Sequence, residues 1–372
     1  MAAAIELQDD TGNNDIDNMC VRETADERFG SQAMYPVVVC FGEMLLRLTA
    51  PGRQLLFQSP VLEACAGGAE ANVAVSLARF GHSTSVVTVL PDNALGRFCI
   101  AELQRHGVRT DAIRFGPGRL GLYFLTHGAL QRPSEIIYDR EGSAFARADA
   151  DLVDWDAALS GAGWLHLSGI TPALGPQAAQ AALRAVQAAS RLGVCVSFDC
   201  NYRAKLWESW PSDPARTLGE LLGYADLAFA DGRALALILG QQHESESSPA
   251  ERFLQAAKEA FARYPRLQRI ATTVRIEHSV DDHELSAWLV TRERSCSTRT
   301  WSLRSIVDRI GTGDAFAAGV LHGILSGLDD RTTIEFAAAA ACLKHSIPGD
   351  FNLVSVADVE HLMRGGGFAV RR

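Results

Sequence analysis

The sequence lacks an excess of basic residues, a long apolar run and any ordered spacing of its cysteines. Its 35 Lys and Arg stand against 44 Asp and Glu, a formal net charge of −9, which is not the basic footprint of a nucleic-acid binder. No stretch of about 20 apolar residues occurs. The longest uncharged stretch, 157–183, is broken by Gly, Pro, Ser and His. Neither a nucleic acid nor a membrane is an expected partner. The eight cysteines form no C-x-x-C and no zinc-finger spacing with His. Several lie in apolar runs such as VVVC and VCVSFDC, as buried, reduced thiols of a cytoplasmic protein do. Walker G-x-x-x-x-G-K-[ST], H-E-x-x-H and G-x-S-x-G are also missing, which excludes a P-loop enzyme, a zincin and a hydrolase nucleophile elbow.

What is present suits a large core. Apolar residues make up 47% of the 372 and charged residues 21%, so the chain is not disordered as a whole. At roughly 100–200 residues per domain, two units or one large α/β domain with an appendage are expected. The first thirty residues differ from the rest, with eight acids and two bases. They have neither the apolar core of a secretory signal nor the basic character of a transit peptide. Residues 1–35 read as a flexible acidic leader.

From Pro36 on, short apolar runs alternate with helical stretches. PVVVCF (36–41), STSVVTVL (83–90), GWLHLSG (163–169), VCVSFDC (194–200), DLAFA (226–230) and QRIATTV (268–274) read as strands. Residues 69–80, 94–107, 176–193, 233–239, 251–264, 313–327 and 333–345 read as helices, several ending at Gly. Strands apolar throughout, alternating with amphipathic helices, predict a mostly parallel sheet flanked by helices. Residues 43–65 and 119–140 break that rhythm and read as two hairpins, a small β-sheet lid. The expected organisation is one α/β domain over 36–364 and a tail over 365–372.

The sharpest motif is VDRIGTGDAFAAGVL (307–321). A Gly-Thr-Gly turn follows an apolar stretch, and Asp314 lies at the start of a helix. Glycine lets the backbone approach a ligand closely, and free N–H groups at a helix start attract an anion. An Asp at that position is also a common cap. The functional reading is that the amides of 311–314 bind a transferring phosphoryl group while Asp314 takes the proton of the attacking hydroxyl. At an ordinary carboxyl pKa of about 3.9, the base form is expected at neutral pH.

GTGDAFAAG resembles the C-terminal signature of the ribokinase-like (PfkB-type) carbohydrate kinases, and AGGAEANVAVSLARFG (66–81) resembles their N-terminal Gly-Gly signature. With the two hairpins, the likeness runs from about 36 to 364. Within the family, GEMLLRL (42–48), LPDNALG (90–96), RPSEIIYDR (132–140), FDCNYRAKLW (198–207) and IPGDFN (347–352) resemble the branch acting on 2-keto-3-deoxygluconate. The resemblance implies a ribokinase-like α/β fold with a lid and phosphorylation of that sugar acid to its 6-phosphate, with ATP and Mg²⁺. It also implies a homodimer through the lid. It makes Asp314 the catalytic base, with Gly311, Thr312 and Gly313 as its anion hole. Gly67, Gly68 and Asn72 match the sugar-binding turn; Tyr123, Tyr138, Arg140 and Arg203 match residues that hold the sugar acid. Asn201, Arg203, Thr273, Gly311 and Gly313 fall on the nucleotide side.

The chemistry of the residues agrees with an acid substrate, because the arginine fork of Arg140 or Arg203 can bind a carboxylate with two hydrogen bonds. Surface charge is the commoner fate of an arginine, and the two tyrosines could equally pack a lid. The alternatives are another sugar kinase of the same fold, for fructose or another sugar acid, and a non-catalytic sugar- or nucleotide-binding homologue. Two segments depart from the family. Where an Asn-x-x-Glu that organises magnesium is usual, this chain has Asp231 and Ala234. Alanine cannot hold an ion or a water, so no metal ligand is assigned. TTVRIEHSVDD (272–282) stands where a Gly-containing nucleotide loop is usual.

Overall fold

Strand β1 shows how the sequence divides the core. Alternate side chains of a strand point to opposite faces. Val38 and Cys40 join a core packed under helices Ala69–Arg79, Thr312–Leu325 and Asp330–Lys344. Val39 and Phe41 join a second core under Pro176–Leu192 and Pro249–Arg263. A strand apolar on both faces therefore lies between two helical layers.

The computed structural model describes residues 36–241 and 248–366. The acidic leader, and residues 367–372 of the expected tail, lie outside them. The strands are β1 (Val37–Phe41), β2 (Leu45–Thr49), β3 (Glu63–Gly67), β4 (Thr84–Val87), β5 (Val89–Leu90), β6 (Arg114–Phe115), β7 (Gly121–Thr126), β8 (Glu135–Asp139), β9 (Ala162–Ser168), β10 (Cys195–Asp199), β11 (Leu227–Phe229), β12 (Arg269–Glu277), β13 (Asp282–Val290), β14 (Ser295–Ser297) and β15 (Trp301–Arg304). The main sheet runs β14-β13-β12-β11-β10-β9-β1-β4, with β15 also on β13. Its pairs from β4 to β12 are parallel, and β13 to β15 form an antiparallel edge. A ribokinase-like, mostly parallel sheet flanked by helices was the expectation, and the structure has it. The antiparallel edge was not foreseen: β13 alternates buried and half-buried residues, a one-sided pattern unlike the apolar strands sought. The run 83–90 is also two strands, parted at Thr88.

A smaller sheet has the order β3-β2-β7-β8. Its hairpins β2–β3 and β7–β8 are antiparallel, and a parallel β2–β7 pair joins them. The helices end where local chemistry ends them. The Asn93 side chain accepts from the N–H groups of Leu95 and Gly96 to start helix Ala94–Arg105. Gly193, at φ 68°, closes helix Pro176–Leu192. Helices Thr312–Leu325 and Asp330–Lys344 pack closely because Gly319 faces Ala337; a Cβ on Gly319 would collide with that alanine.

Candidate active site

Ligands of open α/β sheets bind beyond the carboxyl ends of the parallel strands. Here those ends, at Asp199 of β10 and Phe229 of β11, and the small sheet line one cleft of about 1660 Å³. A single small-molecule site holds roughly 300–1,000 Å³, so the cleft has room for two ligands. The residues singled out from the sequence all line it except Gly67.

Its floor is the turn before helix Thr312–Leu325. Gly311 has φ 76°, and a Cβ there would strike the Asp350 carbonyl oxygen, so only glycine fits. The first intrahelical bond runs from Ala315 N–H to the Gly311 carbonyl. The N–H groups of Thr312, Gly313 and Asp314 precede it and are left for a ligand. Gly313 is exposed, and a Cβ on it would enter open space. Asp314 is half-buried, and its Oδ2 accepts from Asn72 Nδ2 at 2.6 Å. Burial raises its pKa to about 8, and the charges of Asp199, Glu70 and Asp350 push the same way against the Asn72 bond. This corrects the expectation of an ordinary carboxylate ionised throughout the neutral range. The crowd of acids could not be read from the local motif, because Asp199, Glu70 and Asp350 all lie outside it.

A buried ionic network fixes this floor to the small sheet. Arg47 of β2 donates through Nη2 to Asp308 at 2.6 Å and through Nη1 to Asp350 at 3.1 Å. Asp308 also accepts from the N–H groups of Ile310 and Gly349, each at 3.0 Å. The fully buried Lys344 ammonium donates to the Ile347 and Gly349 carbonyls at 2.9 and 2.8 Å. Sequence reasoning assigned none of these four residues a role. The available signal was Arg47 within the apolar run EMLLRLT, a buried charge needing a partner.

Toward the small sheet the expected sugar residues divide. Gly68, at φ 147°, opens helix Ala69–Arg79. Gly67 lies behind the wall, where a Cβ would displace the Asp350 carboxylate. Its part is to make room for that group. The Tyr123 hydroxyl donates to Asp350 Oδ2 at 2.6 Å. Arg140, expected as an open fork, is engaged: its Nε and Nη2 both lie 2.7 Å from Glu43 Oε2. Its charge is matched by a carboxylate 97 residues away in the chain, a pairing the linear sequence does not show. Glu43 Oε1 and Asn72 Oδ1 are buried without a partner among the described residues. Buried polar atoms are nearly always bonded, so these two mark where ligand donors fit. Tyr138 is exposed beside Arg140, whose guanidinium carbon is 5.8 Å from the ring centre. Arg203 is exposed and makes no ion pair among the described residues.

At the strand ends, Asn201 has φ 29°, and its N–H donates to Asp199 Oδ1 at 3.0 Å. Thr273, half-buried on β12, lines the same side. Burial, with Glu70 and Asp231, raises the Asp199 pKa to about 7 against the opposing Arg203 charge. Asp231 caps helix Gly232–Leu239, its Oδ1 accepting from Ala234 N–H at 2.8 Å. Asp231 adds its charge to the cost of ionising Asp199, and a hard divalent cation would relieve that repulsion. No group of three ligating side chains is assembled among the described residues. The donor set therefore fits magnesium held mainly by phosphate and water, with Asp199 and Asp231 nearby.

The fold and this two-ligand cleft define a ribokinase-like carbohydrate kinase. The model of the pfkB family carbohydrate kinases matches residues 36–352, and the chain belongs to that family. It is 32% identical over 335 residues to the 2-dehydro-3-deoxygalactonokinase of Haloferax volcanii, covering 90% of this chain and 99% of that one. It is 27% identical over 315 residues to the 2-dehydro-3-deoxygluconokinase of Bacillus subtilis, covering 84% and 91%. The crystal structure of 2-dehydro-3-deoxygluconokinase from Thermotoga maritima is similar at a TM-score of 0.83 and 38% identity, covering 89% of this chain and all of that one. Among the described residues no helix is long and apolar enough to cross a membrane.

Proposed function

We propose that the protein transfers the γ-phosphoryl group of ATP to the terminal hydroxyl of 2-dehydro-3-deoxygluconate (2-keto-3-deoxygluconate), giving the 6-phosphate and ADP. The observation that carries this is the Asp314 carboxyl beside the ligand-free N–H groups of 312–314. The names of the relatives supply the substrate class.

The hydroxyl proton passes to Asp314 as the oxygen bonds to phosphorus and the bond to the β-phosphate oxygen breaks. A carboxylate held near pH 8 is a stronger acceptor than an ordinary one, and a base is most effective near the working pH. Asn72 orients it. The N–H groups of 312–314 meet charge on the transferring group. Gly68 and Asn72 Oδ1 bind the sugar, and Glu43 Oε1, its carboxylate held by Arg140, accepts a hydrogen bond from a sugar hydroxyl. Tyr123 and Tyr138 close that wall. Arg203, with its fork unpaired, takes the carboxylate in place of Arg140. Asn201 and Thr273 face the nucleotide. Asp199 and Asp231 would help hold a magnesium ion, which would supply charge neutralisation on the phosphates.

The free cysteines among the described residues support a cytoplasmic setting. The exposed Ile136, Ile137 and Tyr138 on β8, an edge strand whose outer side pairs with no other strand among the described residues, support a homodimer through the lid. A coupled ATP-consumption assay tests the function against 2-dehydro-3-deoxygluconate, its galactonate epimer and fructose, with and without Mg²⁺. The two sugar acids are expected to be turned over and fructose poorly. Preference for fructose rejects the substrate class. ATP binding with no phosphorylated product at any magnesium level rejects catalysis.

A further inference from the structure

The departure at 272–282 is explained by where it puts Arg275. This residue is on β12, and its side chain lines the cleft beside the turn 309–312. Its Nη2 lies 3.3 Å from Thr312 Oγ1, which accepts its hydrogen bond, while the same hydroxyl donates to the Arg309 carbonyl at 3.1 Å. Its Nε is buried and has no partner among the described residues. Arg309 comes alongside and is paired with Glu277. Arg275 thus makes no ion pair among the described residues and keeps an idle donor, next to the three N–H groups of 312–314, which also find no partner among those residues. Burial and the neighbouring Arg309 disfavour its charge, and Glu277 only partly offsets them. A guanidinium is kept in such a place when an anion completes it.

We propose that Arg275 binds the phosphate chain of the nucleotide, as a side-chain extension of the amide cradle at 312–314. The inference rests on reading the cleft as an ATP-dependent kinase site. The sugar carboxylate is not the anion. It lies at the opposite end of a six-carbon chain from the hydroxyl that meets Asp314, whereas Arg275 touches the floor two residues from Asp314. In this chain a planar, permanently charged fork therefore grips phosphate where backbone of a glycine loop is the family's usual device.

The test compares the full-length protein with Arg275→Ala and Arg275→Lys by calorimetric titration of a non-hydrolysable ATP analogue and of adenosine, with Mg²⁺ and without sugar. Loss of a charged hydrogen-bonding group is expected to weaken the analogue about 10–100-fold in Arg275→Ala, with Arg275→Lys between. Adenosine affinity is expected to stay near wild type. In turnover, the KM for ATP rises and that for the sugar is little changed. Equal affinity of wild type and a folded variant for the analogue overturns the inference alone. Equal weakening of analogue and adenosine also overturns it, because that is the mark of a structural role. A wild-type protein that does not bind the analogue overturns both the inference and the kinase reading. Should Arg275→Ala fail to fold, Arg275→Lys carries the same comparison.

Discussion

Tyr123 of β7 donates its hydroxyl proton to Asp350 at 2.6 Å, and the Asp350 backbone carbonyl lies against the Gly311 turn. A residue of the small sheet thereby reaches the floor of the cleft through one carboxylate. Burial pushes the Asp350 pKa up, opposed by Arg47 and this tyrosine. Tyr123→Phe removes one of the three side chains that donate to this carboxylate, the others being Arg47 and the Cys65 thiol at 3.8 Å. A hydrogen bond to a buried charge is worth about 1.5–3 kcal/mol. Chemical denaturation is expected to show that loss, with a lower kcat because the turn is less firmly held. Unchanged stability would mean that Asp350 is held without Tyr123.

Glu43 and Arg140 act as a pair. Removing one partner of a buried pair leaves an uncompensated charge, at about 3–5 kcal/mol. Arg140→Ala is therefore expected to destabilise the protein and to raise KM for sugar acids and neutral sugars alike. Glu43→Gln paired with Arg140→Met is expected to recover much of the stability. An effect of Arg140→Ala confined to sugar acids would return the carboxylate to Arg140 and away from Arg203.

The Asp314 pKa near 8 lies well above the ordinary value of about 3.9. Between those values the folded protein keeps a proton that the unfolded chain has lost, so rising pH destabilises the fold through this group, and the dependence flattens above pH 8. Asp314→Asn cannot ionise. Its melting temperature is expected to exceed wild type by a margin that grows from pH 5 to pH 8 and then levels. A margin independent of pH would show that the carboxyl is not perturbed.

These residues also show what a linear sequence carries. The Gly-Thr-Gly-Asp turn was legible because its chemistry is local: a positive φ at Gly311, free amides and one acid within four positions. The parallel strands were legible because burial on both faces leaves unbroken apolar runs, as in Val37–Phe41. The network was not. Arg47 meets Asp308 and Asp350 across 261 and 303 residues, and Glu43 meets Arg140 across 97. No local pattern specifies such partners, so the engaged state of Arg140 and the raised pKa of Asp314 emerge only from the fold. The edge strand β13 was readable in principle from its alternation.

Turnover by Asp314→Asn bears most directly on the chemistry. With ATP, Mg²⁺ and 2-dehydro-3-deoxygluconate, kcat is expected to fall by about 10²–10⁴, in a protein that still melts cooperatively. Near-normal turnover by that folded variant would contradict Asp314 as the group that takes the hydroxyl proton.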